Sequence, residues 1–132
     1  MENFQTDVSA SKPMVLVAED DHDTQAYMRI LLGKEFDVLV ASSGDEVRTQ
    51  LFSHPGRVRM VLMDLSLSGP EDGLMITRDL RRDKQFKTLP IIAVTAHASR
   101  EDRVNSLGAG CDDFVTKPFE PQELLSRMRK VI

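Results

Sequence analysis

Cysteine, tryptophan and long apolar runs are scarce or absent in this sequence of 132 residues. The single cysteine, Cys111, cannot form a disulfide within the chain, and it excludes a metal site built from several cysteines. No apolar run approaches the roughly 18 residues of a membrane-spanning helix. The opening segment MENFQTDVSASK has neither the basic nor the apolar region of a signal peptide. We therefore predict a cytoplasmic protein that does not engage a membrane.

Charge and composition exclude further classes of protein. The formal net charge is −4 and there is no long basic run, so the sequence offers no nucleic-acid surface. A content of 41% hydrophobic and 29% charged residues is ordinary for a globular domain and argues against global disorder. The length suits one domain. We expect residues 1–12 to be a loose tail and residues 13–132 to form that domain.

Short apolar runs alternate with helical patterns from Met14 onward. Runs typical of strands cover residues 14–18, 38–41, 60–63, 91–94 and 114–115. The first four lack polar alternates, as is typical of parallel strands covered on both faces. The strict alternation of five such runs with five helical patterns predicts a doubly wound α/β domain with right-handed crossovers.

The helical segments carry start signals and apolar faces. Ser43 and Ser99 are each followed three residues later by an acid, which is the pattern of a capping box. Pro121 after Glu120 marks the start of the last helix. The apolar spacing predicts buried faces of Tyr27, Ile30 and Leu31 in the first helix and of Leu74, Thr77 and Leu80 in the third, with Arg78, Arg81 and Arg82 of the third facing water.

Polar residues follow the predicted strands where each strand ends. They are Glu19, Asp20 and Asp21 after the first strand, Asp64 after the third, Thr95 after the fourth and Lys117 after the fifth. In open parallel sheets, ligands bind beyond the carboxyl ends of the strands. Carboxylates without imidazole or thiolate neighbours favour a hard cation, Mg²⁺ or Mn²⁺. The sequence therefore predicts a cation site at this edge of the sheet.

A carboxylate beside such a cation, a lysine and a hydroxyl is suited to accept a phosphoryl group. The cation and the lysine can balance the charge on the phosphoryl oxygens, and the hydroxyl can donate a hydrogen bond to one of them. Asp64 is the best acceptor, because it follows the central strand between Met63 and Leu65 and stands outside the run of acids.

Four segments of the sequence resemble the receiver domain of bacterial two-component response regulators. They are VLVAEDD at 15–21, VLMDLSLSGPEDG at 61–73, IIAVTAHA at 91–98 and GAGCDDFVTKPF at 108–119. The resemblance covers about residues 13–132. It implies a flavodoxin-like α/β/α sandwich with a five-stranded parallel sheet in the order 2-1-3-4-5, two helices on one face and three on the other. It also implies a switch that catalyses its own phosphorylation and dephosphorylation, and not a metabolic enzyme.

The resemblance implies a phosphoacceptor and a metal site. Asp64 matches the phosphoacceptor, and Mg²⁺ is expected on Glu19, Asp20, Asp64 and the backbone carbonyl of Ser66. Lys117 matches the lysine that pairs with the phosphoryl group, and its bond to Pro118 matches one that is often cis.

The resemblance also implies a switch. Thr95 matches the hydroxyl that turns toward the phosphoryl group, and Phe114 stands at the position of the switch aromatic, where simple core packing is the alternative. The expected output surface is formed by the fourth helix, the fifth strand and the fifth helix. His97, two residues after Thr95, is a candidate for tuning the lifetime of the phosphoryl group; the alternative is a solvated loop histidine.

Three positions depart from the family pattern. Ser68 stands where the family usually has proline, and Glu19 replaces the commoner aspartate of the first acidic position. The loop from Asp64 to Gly73 is one residue longer than the commonest form. These departures concern the conformation of the loop and the reach of one metal ligand, and they leave the acceptor unchanged.

The resemblance implies a histidine kinase or a histidine phosphotransfer protein as the donor and an unidentified protein as the downstream target. Dimerisation on phosphorylation is a further option. Met1 and the tail favour a stand-alone receiver or a phosphorelay intermediate, and the alternative is a module of a hybrid histidine kinase or a larger regulator.

Two other classes of protein fit the sequence less well. A flavin-binding protein needs a loop rich in Ser, Thr and Gly after the first strand, where this chain has acids. A Mg²⁺-dependent phosphohydrolase needs a second acid two residues after the nucleophile, where this chain has Ser66.

Overall fold

A computed structural model describes residues 12–132, so the predicted tail lies outside the described residues except for Lys12. Strands and helices alternate along the described chain. The strands are β1 (Met14–Ala18), β2 (Asp37–Ala41), β3 (Val58–Met63), β4 (Ile91–Thr95) and β5 (Asp113–Thr116). The helices are α1 (His22–Leu32), α2 (Gly44–Ser53), α3 (Gly73–Arg82), α4 (Arg100–Ala109) and α5 (Pro121–Val131), and a 3₁₀ turn (Lys84–Phe86) precedes β4.

The five strands form one parallel sheet in the order β2-β1-β3-β4-β5. This confirms the predicted doubly wound, flavodoxin-like topology. The strand order reverses between β1 and β3, and such a reversal opens a crevice at the carboxyl edge of the sheet. Ala18 pairs with Met63 at the ends of these two strands. Glu19 and Asp64, the next residues of each strand, therefore enter the crevice side by side.

Two apolar clusters cover the two faces of the sheet. Val15 and Val17 of β1 point to a cluster completed by Met28 of α1 and Leu124 of α5. Leu16 points to the opposite cluster, which buries the inner faces of α2 and α3. Helix α4 packs against α3 and so lies on that second face. The predicted division into two helices and three is confirmed, and no helix of residues 12–132 is long and apolar enough to cross a membrane.

Helix starts follow the predicted capping residues. The side chain of Ser99 accepts the backbone N–H of Asp102, and the Asp102 carboxylate accepts that of Ser99, which completes the predicted capping box. Ser43 caps α2 by accepting from Glu46, but the Glu46 carboxylate accepts the N–H of Ser42 instead of Ser43. Helix α5 begins with Pro121 in its first turn, as predicted.

The predicted buried face of α1 is wrong in part. Met28 and Leu32 are buried against the sheet, whereas Tyr27 is 46% exposed and Ile30 is 79% exposed. Leu31 is partly buried against the same cluster. Apolar residues occupy most of the circumference of α1, so spacing alone permits more than one buried face.

Arg81 of α3 does not face water as predicted. Its guanidinium donates to the backbone carbonyls of Gly110 and Phe86 at 2.9 and 2.8 Å and to the Asp112 carboxylate at 3.1 Å. These acceptors lie up to 31 residues along the chain, beyond the reach of a helical pattern. Arg81 therefore ties α3 to the segment that leads into β5.

Candidate functional site

Backbone hydrogen bonds fix the site residues one step beyond the strand ends. The N–H of Glu19 donates to the carbonyl of Ala41 at 2.9 Å, and that of Asp64 donates to Ala18 at 3.0 Å. The N–H of Lys117 donates to the carbonyl of Thr95 at 2.9 Å. The sheet thus sets the positions of three of the predicted site residues at its carboxyl edge.

Lys117 lies between two buried carboxylates. Its Nζ is 2.5 Å from Glu19 Oε1 and 3.3 Å from Asp64 Oδ2. Glu19 is 4% exposed and Asp64 is 7% exposed, so each carboxylate needs a compensating partner. Burial opposes the charge of Lys117, but the hydrogen bond to Glu19 and the charges of both acids outweigh it and raise the pKa of Lys117. The lysine is therefore charged at neutral pH, and its bond to Pro118 is cis, as the resemblance implied.

Three of the predicted metal ligands converge at the same edge. Glu19, Asp20 and Asp64 each offer a carboxylate oxygen, and these atoms all lie within 4.8 Å of one another. The donor set consists of oxygen atoms alone, which suits a hard cation such as Mg²⁺. Ser66, the fourth predicted ligand, lies beside them, and its backbone N–H donates to Asp64 Oδ1 at 2.9 Å.

Ser68 holds Asp20 by two hydrogen bonds that local sequence patterns do not indicate. Its backbone N–H and its hydroxyl both donate to Asp20 Oδ2, at 2.9 and 2.5 Å. These bonds stabilise the carboxylate and lower the pKa of Asp20 below its ordinary value. The signal in the sequence was a residue with two donors at a position where the family usually has proline.

Thr95 is fully buried at the end of β4. Its hydroxyl oxygen lies 3.5 Å from that of Ser66 and accepts the backbone N–H of His97 at 3.3 Å. His97 itself is exposed in the loop between β4 and α4. The structure therefore brings Thr95 into the site and leaves His97 exposed at its margin.

Phe114 is 3% exposed and belongs to the apolar cluster on the α2 and α3 side of the sheet. The guanidinium of Arg103, from α4, lies 4.9 Å from the centre of the ring. This distance is within the range of a cation–π interaction. The ring already occupies an inward position in this structure, and its role as a switch aromatic stays a prediction.

Gly73 lets α3 begin directly against the backbone of the candidate acceptor. A Cβ atom at this position would lie 2.4 Å from the carbonyl oxygen of Asp64 and 2.8 Å from the Cα of Leu65. Real Cβ atoms do not approach so closely, so a side chain here would displace the acceptor's backbone.

The family model described as the response regulator receiver domain matches residues 15–129. The transcriptional regulatory protein AruR of Pseudomonas aeruginosa is 38% identical over 127 residues, which cover 93% of this chain and 50% of the relative. The chain thus spans about half the length of the curated relatives that it matches.

Solved structures that are similar to this chain include a response regulator and a receiver domain. A putative response regulator from Chloroflexus aurantiacus is 34% identical with a TM-score of 0.79, and the match covers 91% of this chain and 98% of that one. The receiver domain of the sensor histidine kinase PA1611 from Pseudomonas aeruginosa has a magnesium ion coordinated in its active site cleft. It is 30% identical with a TM-score of 0.79, and the match covers 92% of this chain and 98% of that one.

Proposed function

Because this chain belongs to the response regulator receiver domain family, we propose that it accepts a phosphoryl group on Asp64 and acts as a phosphorylation switch. The observation that carries the proposal is the position of Lys117, with its amine 3.3 Å from Asp64 and 2.5 Å from Glu19. A fixed cation beside a buried carboxylate suits a group that gains negative charge during the reaction.

The transfer forms a phosphorus–oxygen bond to a carboxylate oxygen of Asp64 and breaks the phosphorus–nitrogen bond of the donor phosphohistidine. The departing imidazole keeps the electron pair of that bond and takes up a proton. Lys117 pairs with the phosphoryl oxygens, and the Thr95 hydroxyl donates a hydrogen bond to one of them. Asp64 therefore serves as the nucleophile, and its neighbours stabilise the charge that develops.

A divalent cation is part of this proposal. The three-carboxylate oxygen set of Glu19, Asp20 and Asp64 fits Mg²⁺, with Mn²⁺ as a substitute and the Ser66 carbonyl as a further ligand. When bound, the ion supplies positive charge that offsets the negative charge of the phosphoryl oxygens. Lys117 supplies only one positive charge for two buried acids, which leaves the cluster short of cations.

The switch step concerns Thr95 and Phe114. We propose that phosphorylation draws the Thr95 hydroxyl away from Ser66 and toward the new phosphoryl group. The ring of Phe114 would then follow Thr95 further inward, and the surface of α4, β5 and α5 would change with it. Amide NMR spectra with and without a beryllofluoride adduct test this, because shifts confined to the site would contradict a transmitted switch.

The central test is the intact mass of the protein after incubation with Mg²⁺ and acetyl phosphate. We expect one added phosphoryl group, and no addition with Asp64→Asn or in a chelator. A wild-type protein that gains no mass and forms no beryllofluoride adduct, although it is folded and loaded with Mg²⁺, would overturn the proposal.

His97 is proposed to tune how long the phosphoryl group survives. The residue is exposed, and its backbone N–H donates to the Thr95 hydroxyl, so its ring would affect the approach of water to the acyl phosphate. Substituting His97 by Ala is expected to change the rate of mass loss after the donor is removed. An unchanged rate would leave His97 as a solvated loop residue.

The partners follow from the family and remain part of the proposal. The donor would be a histidine kinase or a histidine phosphotransfer protein, and the target an unidentified protein, in the cytoplasm. The chain would act either as a stand-alone receiver or relay intermediate, or as a module of a larger protein. Dimerisation on phosphorylation is testable by sedimentation with and without beryllofluoride.

A further inference from the structure

We propose that Ser68 is a positioning residue that orients Asp20 for the divalent cation, and that Arg48 keeps the loop of Ser68 within reach. This inference rests on the proposed function, because it concerns the same cation site. It assigns a role to two residues that take no part in the transfer itself.

Asp20 is the least buried of the three acids in the cluster. Without a partner, its side chain would sample several rotamers, and ordering it would reduce the affinity for a cation. The N–H and the hydroxyl of Ser68 both bind Oδ2, at 2.9 and 2.5 Å, and so fix the carboxylate by one of its two oxygens. The carboxylate retains ligand capacity, since an ionised carboxylate accepts about four hydrogen bonds or metal contacts in all.

The contact depends on the residue type at position 68. Proline, the usual residue of the family here, has neither an N–H nor a hydroxyl and cannot make either bond. The two partners are separated by 48 residues, so the contact exists only because the β3–α3 loop folds back over the end of β1.

Arg48 of α2 anchors that loop three residues beyond Ser68. Its two terminal nitrogens each donate to one carboxylate oxygen of Glu71 at 2.8 Å, in a bidentate pair. The same guanidinium donates to Asp79 of α3 at 3.1 and 2.8 Å. The side chains of Arg48 and Glu71 are 25% and 29% exposed, so salt screens this partly buried pair less than a fully exposed one. One arginine thus fastens the loop to two helices.

Gly44 provides the space for this anchor. A Cβ atom at Gly44 would lie 2.4 Å from Glu71 Oε1 and 3.1 Å from the Nη1 atom of Arg48. The first residue of α2 therefore lets the loop approach closely enough for the bidentate pair to form. The loop, one residue longer than the common form, is held by named contacts at both Ser68 and Glu71.

The experiment measures the dissociation constants of Mg²⁺ and Mn²⁺ on the full chain by titration calorimetry, without any phosphodonor. Partners that orient a metal ligand typically contribute about 10- to 100-fold in affinity. Because the N–H bond survives in Ser68→Ala, we expect a loss near the lower limit, about 10-fold. Ser68→Thr keeps the hydroxyl and is expected to retain most of the affinity. Ser53→Ala, an exposed serine at the end of α2, is the matched control and should bind as the wild type does.

Arg48→Lys tests the anchor without changing the net charge. A lysine cannot form the bidentate pair, so we expect weaker cation binding, whereas Arg78→Lys on the exposed face of α3 should have no effect. Thermal unfolding in a chelator confirms that each variant is folded.

Two results would overturn the inference. One is unchanged or tighter cation binding by Ser68→Ala, which would mean that Ser68 is neutral or competes with the cation. The other is unchanged binding by Arg48→Lys, which would remove the role of Arg48. Both are distinct from a failure of the proposed function, in which the wild-type chain itself would not bind the cation or gain a phosphoryl group.

Discussion

Replacing Lys117 by Met tests whether this lysine compensates the buried acids. The substitution keeps a chain of similar length and removes the charge. Glu19 and Asp64, at 4% and 7% exposure, then face each other without the ammonium that lies 2.5 and 3.3 Å from them. We expect the folded protein to lose stability in the absence of a divalent cation.

The magnitude follows from the geometry. At about 3 Å and an effective dielectric constant of about 20, one ion pair has a Coulomb energy of about 5 kcal/mol before desolvation. Removing one partner of a buried pair typically costs about 3–5 kcal/mol. The side chain of Lys117 is 23% exposed, so water reaches part of it and the lower limit applies. We expect a loss of about 3 kcal/mol, or a fall in Tm of about 10 °C for a domain of this size.

The assay is urea unfolding followed by far-UV circular dichroism in a chelator, since the chain has no tryptophan. The slope of the transition should not change, so that the shift in midpoint reports stability alone. Lys130→Met, at an exposed position of α5, is the matched control and is expected to stay within about 0.5 kcal/mol of wild type.

Addition of Mg²⁺ provides a second, independent measure. A bound divalent cation neutralises the same carboxylates, so it should stabilise Lys117→Met more than wild type and reduce the difference between them. Equal stability of Lys117→Met and wild type in the chelator, or equal stabilisation of both proteins by Mg²⁺, would exclude a compensating role of Lys117.

Gly73→Ala should destabilise the fold by about 1–3 kcal/mol, because its Cβ would lie 2.4 Å from the Asp64 carbonyl oxygen; an unchanged Tm would contradict this. Cys111 is buried, and burial raises the pKa of its thiol to about 11. It should therefore react with a thiol reagent at pH 8 only after denaturation, and rapid labelling of the native protein would be evidence against burial. The hydrogen bonds of Ser68 lower the pKa of Asp20 below its ordinary value of 3.8. The ionised carboxylate therefore stabilises the fold at pH values above 3.8, and this contribution is lost as the pH falls below 3.8. The stability difference between wild type and Asp20→Asn, measured by urea unfolding in a chelator, should therefore shrink on acidification; a growing difference would exclude the explanation.

Local sequence patterns predict the order of the elements and the candidate site residues at the carboxyl edge of the sheet. Apolar runs without polar alternates mark strands that are covered on both faces, and this signal is local. Strand ends are local as well, so the position of Asp64 and Lys117 at the carboxyl edge follows from the residues that precede them. The capping box at Ser99 depends on contacts within four residues and was predicted in full.

Contacts between side chains far apart in the sequence depend on the tertiary structure. The bonds from Ser68 to Asp20 and from Arg81 to Asp112 span 48 and 31 residues, and no periodicity encodes such a pair. Each is fixed by how a loop lies over a neighbouring element. Arg48 is a further residue whose contacts depend on the tertiary structure. As an arginine of α2 it would be expected at the surface, and its bond to Glu71 depends on the position of the β3–α3 loop.

The buried face of α1 illustrates the same limit in an apolar pattern. Several rotations of this helix present apolar residues to the sheet, and the local sequence favours Tyr27 and Ile30 as readily as Met28 and Leu32. Packing against the sheet selects the second pair, because Met28 and Leu32 join Val15 and Leu62 in one buried apolar cluster. A helical pattern limits the choice of faces, and the shape of the surface on which the helix packs selects one of them.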